Sequence, residues 1–237
     1  MDISVTPLII PAPIADGFAD FEKILAPFAS VASRAHIDVC DGKFVPTISW
    51  PYGGDVAWSE LERLADGADT LPYRERIAYE AHLMVSEPEE VGNLLVRAGV
   101  STIIAHLEAF SDAESFLRIG RGWRESGASE VGVALLLDTP LSKLEEIIDS
   151  VEVVQLMSIA RLGAHGEPFD MRVVDRVKEV RTKNPDIAIA VDGGVTLQNI
   201  GALFNAGASR FAVGSALFNA ESQEDAYREL KKAVDSE

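Results

Sequence analysis

Short apolar runs alternate with longer amphipathic segments from one end of the chain to the other. Eight runs have the length and composition of strands: Val5–Ile10, Arg34–Cys40, Tyr79–Val85, Thr102–Leu107, Val131–Leu137, Val153–Ile159, Ile187–Val191 and Arg210–Val213. A helical segment is predicted after each of them, and the last, Glu221–Val234, closes the chain. Ser86-Glu87-Pro88-Glu89 predicts a helix start with Ser86 as N-cap and Glu89 three residues on, and Ala98-Gly99 predicts its end. Thr139-Pro140 predicts another start with proline in the first turn, followed by Leu141, Leu144, Ile147 and Ile148 on one face. Asn184-Pro185 ends a helix that begins near Met171, and Ser49–Arg76 predicts a helix with an enlarged loop.

Strand then helix, eight times over, predicts a parallel α/β architecture. A doubly wound open sheet alternates in the same way, but eight units in 237 residues favour one closed (β/α)8 TIM barrel, for which about 250 residues are typical. With no linker, low-complexity stretch or internal repeat in view, residues 1–237 are expected to form a single barrel domain.

A barrel carries its chemistry at the C-terminal ends of its strands, and the polar residues can be held against that rule. In His36-Ile37-Asp38-Val39-Cys40 the residues two apart share a face, so His36, Asp38 and Cys40 point one way while Ile37 and Val39 point the other. A histidine and an aspartate turned into a barrel are costly unless they bind something. The third strand ends in Ala81-His82-Leu83-Met84, the fourth in Ala105-His106-Leu107-Glu108 and the seventh in Ala190-Val191-Asp192-Gly193-Gly194. One strand histidine alone is an ordinary hydrogen-bonded core residue, but imidazoles and carboxylates gathered on one rim suit a divalent metal: zinc, or iron, manganese or cobalt. Two glycine-rich turns, Asp192-Gly193-Gly194-Val195 and Val213-Gly214-Ser215-Ala216, are each expected to precede a helix, where bare N–H groups bind phosphate. Either could equally be a simple turn, yet strands seven and eight are the usual phosphate position in barrels.

Composition narrows the partners. The net charge of −17 disfavours nucleic acid and anionic membranes as partners, and means that any anion site must be built from local donors. Cys40 is the single cysteine, so no intrachain disulfide forms and a reducing compartment is expected. The first residues lack the pattern of a secretion signal, and no apolar stretch approaches about 18 residues. A cytoplasmic protein is expected; the sequence is compatible with a homo-oligomer.

The motifs resemble those of the ribulose-phosphate 3-epimerases. His36-Ile37-Asp38-Val39-Cys40-Asp41-Gly42-Lys43-Phe44-Val45-Pro46 is similar to that family's His-x-Asp-x-Met-Asp-Gly-x-Phe-Val-Pro signature. Ala81-His82-Leu83-Met84-Val85, His106-Leu107-Glu108-Ala109, Val191-Asp192-Gly193-Gly194-Val195 and Gly214-Ser215-Ala216-Leu217-Phe218 match further elements in the same order, over about residues 9 to 220. The resemblance implies a barrel of the ribulose-phosphate-binding type with one metal ion held by His36, Asp38, His82 and Asp192. It implies Asp38 and Asp192 as the acid/base pair, and a pocket lined by Met84 and Met157, with Cys40 where a third methionine is usual. His106 is not expected to touch the metal. Gly193, Gly194, Gly214 and Ser215 are expected to hold the phosphate, and Leu83, Met84 and Met157 to keep the pocket dry.

Two segments depart from the family. Pro11-Ala12-Pro13-Ile14 lacks the serine of the family's Pro-Ser-Ile-Leu, and Ala160–Glu167 is longer and poorer in glycine than its Asn-Pro-Gly-Phe-Gly-Gly-Gln loop. Arg161 or His165 could replace the missing donors, or could be ordinary loop charges. The expected reaction is the metal-dependent 3-epimerisation of a ketose phosphate, D-ribulose 5-phosphate to D-xylulose 5-phosphate in the pentose phosphate pathway. Alternatives are another ketose phosphate such as allulose 6-phosphate, or a barrel that binds a phosphate ligand without turnover. A sugar-phosphate lyase of the Asp-x-Lys-x-x-Asp type is disfavoured, because Asp38-Val39-Cys40-Asp41 has no lysine in the required place.

Overall fold

In a computed structural model, which describes residues 6–13, 15, 17–163 and 167–235, the strand runs become one eight-stranded parallel sheet. The strands are β1 Leu8–Pro11, β2 Arg34–Cys40, β3 Ala78–Met84, β4 Thr102–His106, β5 Glu130–Leu135, β6 Val153–Met157, β7 Ala188–Asp192 and β8 Arg210–Val213. Hydrogen-bonded neighbours run in the order β1-β8-β7-β6-β5-β4-β3-β2, and β1 and β2 flank the seam of a nearly closed barrel. The helices are α1 Phe18–Leu25, α2 Asp55–Ala65, α3 Pro88–Arg97, α4 Ala113–Glu125, α5 Arg172–Lys183, α6 Ile200–Ala206, α7 Ser215–Phe218 and α8 Gln223–Val234. The expected (β/α)8 barrel is the fold observed, with β1 beginning later than the sequence run; Val5 lies outside the described residues.

Three local expectations are corrected. Ser86 does not cap α3: Glu87 is the N-cap, Pro88 is the first residue, and the Ser86 N–H instead donates to Asp41 Oδ2 at 2.8 Å. The segment after β5 is no α-helix but two short 3-10 turns, Leu141–Leu144 and Ile148–Ser150. Three residues per turn bring Leu141 and Leu144 to one buried face as readily as an α-helix would, so the apolar spacing did not discriminate. The turn after β7 does not lead directly into a helix; α6 begins only at Ile200, behind a loop in which Asn199 Nδ2 donates to the Gly194 carbonyl.

Alternation along the strands sorts the barrel into an outer and an inner set. Ile37, Val39 and Leu83 face out and join the core beneath the helices. Leu83 is therefore not part of the pocket, contrary to expectation. The inward set is layered. Arg34, Glu80, Thr102, Glu130 and Arg210 gather at the bottom. Ile104, Ala134, Val153 and Ala190 form an apolar plug above one side. Gly132 belongs here because a Cβ would come within 2.9 Å of Ile104 and 3.0 Å of Val153. The top of the barrel carries the histidines and aspartates.

Candidate active site

Parallel register sets the site. Asp38 lies beside His82 across β2 and β3, and His36 lies beside Glu80 one step lower. Asp192 ends β7 beside Met157 of β6. Donor atoms of His36, Asp38, His82 and Asp192 consequently all lie within 4.8 Å of one another. Both imidazoles are fully buried, while the two carboxylates are about one-sixth exposed, at 16% and 14%.

Each ring has its own bonding pattern. His36 Nδ1 lies 2.7 Å from Glu80 Oε1. An ionised carboxylate only accepts, so Nδ1 carries the proton and Nε2 presents its lone pair to the cluster. That Nε2 is 3.3 Å from Asp38 Oδ1 but has no hydrogen-bond partner among the described residues. His82 turns its other edge to the cluster: Nδ1 lies 3.1 Å from Asp38 Oδ1 and 3.3 Å from Asp192 Oδ2. His82 Nε2 points away, 2.9 Å from Nε2 of His106. His106 is thus outside the cluster, on the far side of His82, with Nδ1 3.1 Å from Glu108 Oε2 and the Phe44 ring against it.

The electrostatics favour a cation. Burial alone would lower both imidazoles, but the carboxylates of Asp38 and Glu80 outweigh it at His36, and those of Asp192 and Asp38 do so at His82; both are raised. Burial would raise Asp38, yet its two histidine neighbours hold it well below the usual carboxylate range. A buried nitrogen without a partner, a second imidazole edge turned inward and two converging carboxylates form a donor set that fits one divalent metal ion.

Above the cluster opens a cleft of about 950 Å³. Asp38 and Asp192 reach it, as do Cys40, Met84 and Met157, which pack with Val45, Ile159 and Leu162 into a small apolar wall. Burial, then the Asp38 charge, pushes the Cys40 thiol up to about 12, so it is a protonated wall residue rather than a nucleophile. Gly193, Gly194, Gly214 and Ser215 line the cleft as well. Gly193 and Gly194 have φ of +107° and +65°, and a Cβ on Gly193 would come within 2.9 Å of Ile159. The N–H groups of Gly194, Gly214 and Ser215 make no hydrogen bond to another described residue. Gly214 directly precedes α7; the Gly193-Gly194 pair is a left-handed turn.

The departing segments also face the cleft. Ala12 and Pro13 line it without a hydroxyl, while Thr47 and Ser49 of the β2 loop line it with one each. Glu167 lines it too, its carboxylate 2.5 Å from the guanidinium of Arg161, which is itself 79% exposed. His165 lies outside the described residues. Several supporting residues escaped the sequence reading. Glu80 and Gln155 occupy inward positions two before His82 and Met157, so strand alternation was the available signal. Gln155 Nε2 donates to Asp192 Oδ2 at 3.4 Å, and Ser49 Oγ donates to the Asp38 carbonyl at 2.6 Å.

A barrel with histidines and aspartates converging below a glycine-rimmed cleft defines a class, the barrel enzymes with chemistry at the strand ends. The sequence profile of the ribulose-phosphate 3 epimerase family matches residues 8–218, and the chain belongs to that family, whose members are isomerases acting on carbohydrates. It is 32% identical over 219 residues to the ribulose-phosphate 3-epimerase of Escherichia coli (strain K12), covering 91% of this chain and 88% of that one. It is 33% identical over 217 residues to that of Aquifex aeolicus (strain VF5), with 90% of each covered. Among solved structures, the 3-keto-L-gulonate-6-phosphate decarboxylase of Vibrio cholerae is similar at a TM-score of 0.72 and 12% identity, covering 97% of this chain and 98% of that one. The 3-hexulose-6-phosphate synthase of Salmonella typhimurium matches at 0.69 and 13%, covering 96% and 98%. At such identities these two likenesses speak for the fold alone.

Proposed function

We propose that the protein catalyses the metal-dependent 3-epimerisation of a ketose phosphate, with D-ribulose 5-phosphate to D-xylulose 5-phosphate as the reaction. The observation that carries this is the convergence of Asp38 and Asp192, from two strands well apart around the barrel, on one point beneath the cleft. Family membership and the names of the relatives support the choice of sugar.

Inverting the carbon beside a carbonyl requires removal of a weakly acidic proton from one face and delivery of one to the other. Asp38 and Asp192 serve as this pair, one on each face, exchanging the roles of base and acid with the direction of reaction. His36 through Nε2, His82 through Nδ1, and the two aspartates would hold the metal ion. When bound, a divalent ion supplies Lewis-acid stabilisation of the negative charge that develops at the carbonyl. Cys40, Met84 and Met157 keep water from the reacting carbon. The N–H groups of Gly194, Gly214 and Ser215, unbonded among the described residues and with Gly193 shaping the turn, grip the phosphate and fix the depth of the sugar. The phosphate must be bound by these neutral donors against the negative charge of the whole chain.

Among the described residues no helix is long and apolar enough to cross a membrane, which accords with a cytoplasmic enzyme of the pentose phosphate pathway. Ala12 in place of a serine, and the Arg161–Glu167 pair beside the anion cradle, are the features on which a preference for another ketose phosphate, such as allulose 6-phosphate, would turn. A coupled assay across ketose 5- and 6-phosphates, on protein reconstituted with zinc, iron, manganese or cobalt and with metal content measured, tests the reading. The expected result is the highest kcat/KM on ribulose 5-phosphate. Metal-loaded protein that epimerises none of the sugars would leave only a phosphate-binding barrel.

A further inference from the structure

Two carboxylates stand behind the two histidines of the cluster, and they are not equivalent. Glu80 touches His36 directly. Glu108 acts at one remove: Glu108 Oε2, then His106 Nδ1 at 3.1 Å, then His106 Nε2 to His82 Nε2 at 2.9 Å. His82 and His106 are wholly buried, so no water competes for these ring edges. Glu108 is itself pinned. Its other oxygen accepts from the Leu136 N–H at 3.0 Å and from the Thr139 hydroxyl. Burial would raise its carboxyl, but the hydrogen bonds from His106, Thr139 and Leu136 hold it below the usual carboxylate range.

The direction of every proton in this chain follows from its fixed end. Leu136 and Thr139 both donate to Glu108 Oε1, and an ionised carboxylate accepts at Oε2 as well, so His106 Nδ1 carries a hydrogen. A neutral His106 then presents a lone pair at Nε2. Two nitrogens 2.9 Å apart share one hydrogen between them, so His82 Nε2 must carry it. His82 is left with Nδ1 as the edge that faces Asp38 and Asp192.

We propose that His106 is a positioning residue, held by Glu108 in its Nδ1–H form so that it accepts from His82 Nε2 and commits His82 Nδ1 to the cation site. The two ring histidines of the cluster thereby use opposite nitrogens, Nε2 of His36 and Nδ1 of His82, each fixed by a carboxylate on its far side. The proposal rests on the metal reading for its consequence, but the proton assignment stands without a metal. Hydrogen-bonded partners of this kind fix ring orientation, and their loss costs about 10–100-fold in metal affinity.

The test has two arms. In the first, protein labelled with ¹⁵N at histidine is studied by NMR in metal-free form. His106 should be the Nδ1–H tautomer, although imidazole in water prefers the other, and His82 Nε2 should carry a proton. A His106 protonated at Nε2 overturns the proposal whatever the protein does with metals. In the second, zinc affinity is measured by competition with a chelator for the parent, His106→Phe, His106→Gln and Glu108→Gln, each checked for a folded spectrum. His106→Phe keeps the ring volume but removes the acceptor, and should weaken zinc by about 10–100-fold. His106→Gln returns a carbonyl acceptor, and should recover most of that loss. Parental affinity in His106→Phe, or equal losses in the Phe and Gln variants, would overturn the positioning role. A parent that binds no divalent metal would refute the metal reading instead, and the first arm would still decide the proton assignment.

Discussion

At the bottom of the barrel Arg210 grips Glu130 with two bonds, of 2.6 and 2.9 Å, and Arg34 reaches Glu130 at 3.0 Å and Thr102 at 2.7 Å. At the top, His36, Asp38, His82 and Asp192 are brought equally close, with no arginine or lysine among them and with one buried nitrogen, His36 Nε2, left without a partner among the described residues. Both groups are inward-facing, and both sit on the same strands or their neighbours. The bottom carboxylates are answered by protein cations, Glu130 by Arg210 and Arg34 and Glu80 by Arg34 at 3.5 Å, and so serve the fold. The top group converges on a point that no cation among the described residues answers, and its donor set fits a metal ion. Residue type alone does not separate them; whether a cation of the protein answers them does.

The largest expected effect falls at the top. Asp38→Asn and Asp192→Asn should each abolish epimerisation, since loss of a general acid–base alone is worth about 10²–10⁴-fold. Thermal unfolding should change little. A variant at either position that keeps its metal and near-parental turnover would break the functional half of the contrast. The bottom should respond in reverse. Arg210→Met leaves Glu130 without its bidentate partner and should cost roughly 3 kcal/mol of stability in denaturant unfolding, with turnover per folded molecule close to that of the parent.

A pH titration sharpens the same contrast. Burial would raise the Glu130 carboxyl, but its bonds to Arg210, and the charges of Arg210 and Arg34, hold it down to about 2 in the folded protein. Its folded pKa is depressed, so its contribution is complete above the unfolded value of 4.5 and is lost as pH falls from there through about 2. Up to about 3 kcal/mol is at stake. The gap between parent and Arg210→Met should therefore narrow as pH falls below 4.5 and close near about pH 2. A constant gap across that window would remove Glu130 from the account.

Gly214→Asp, at the rim of the cleft, should raise KM for the phosphorylated sugar at least tenfold, about 1.4 kcal/mol of binding, and leave kcat and folding much as they were. Normal KM would move the phosphate elsewhere in the cleft, with Arg161 the residue to examine next. The smallest effect is expected at Arg161→Ala, whose exposed pair with Glu167 should leave the melting temperature unchanged.

The chain reveals its barrel through repetition: eight apolar runs needed only their period and spacing to be read. His36 and Asp38 were legible because alternation alone puts them on one face, and His82 and Asp192 because they lie among the last residues of their strands, His82 two before the end of β3 and Asp192 at the end of β7. What stayed hidden depends on atoms distant in sequence. Nothing around Glu130 announces that Arg210, eighty residues on, closes against it. Nothing in His106-Leu107-Glu108 tells which ring edge of His82 will be taken. The 3-10 turns at Leu141–Leu144 and the loop before α6 were misread for a different reason, since apolar spacing and glycine pairs are shared by more than one local structure.

The central claim is that Asp38 and Asp192 move a proton at C3 from opposite faces. Its most direct test is to run the reaction on ribulose 5-phosphate in heavy water, with metal-reconstituted protein, and to follow C3 by NMR. The predicted result is xylulose 5-phosphate carrying deuterium at C3, because the hydrogen delivered comes from an acid in exchange with solvent, and no product from either asparagine variant. Epimer formed with its original hydrogen retained at C3 would contradict it.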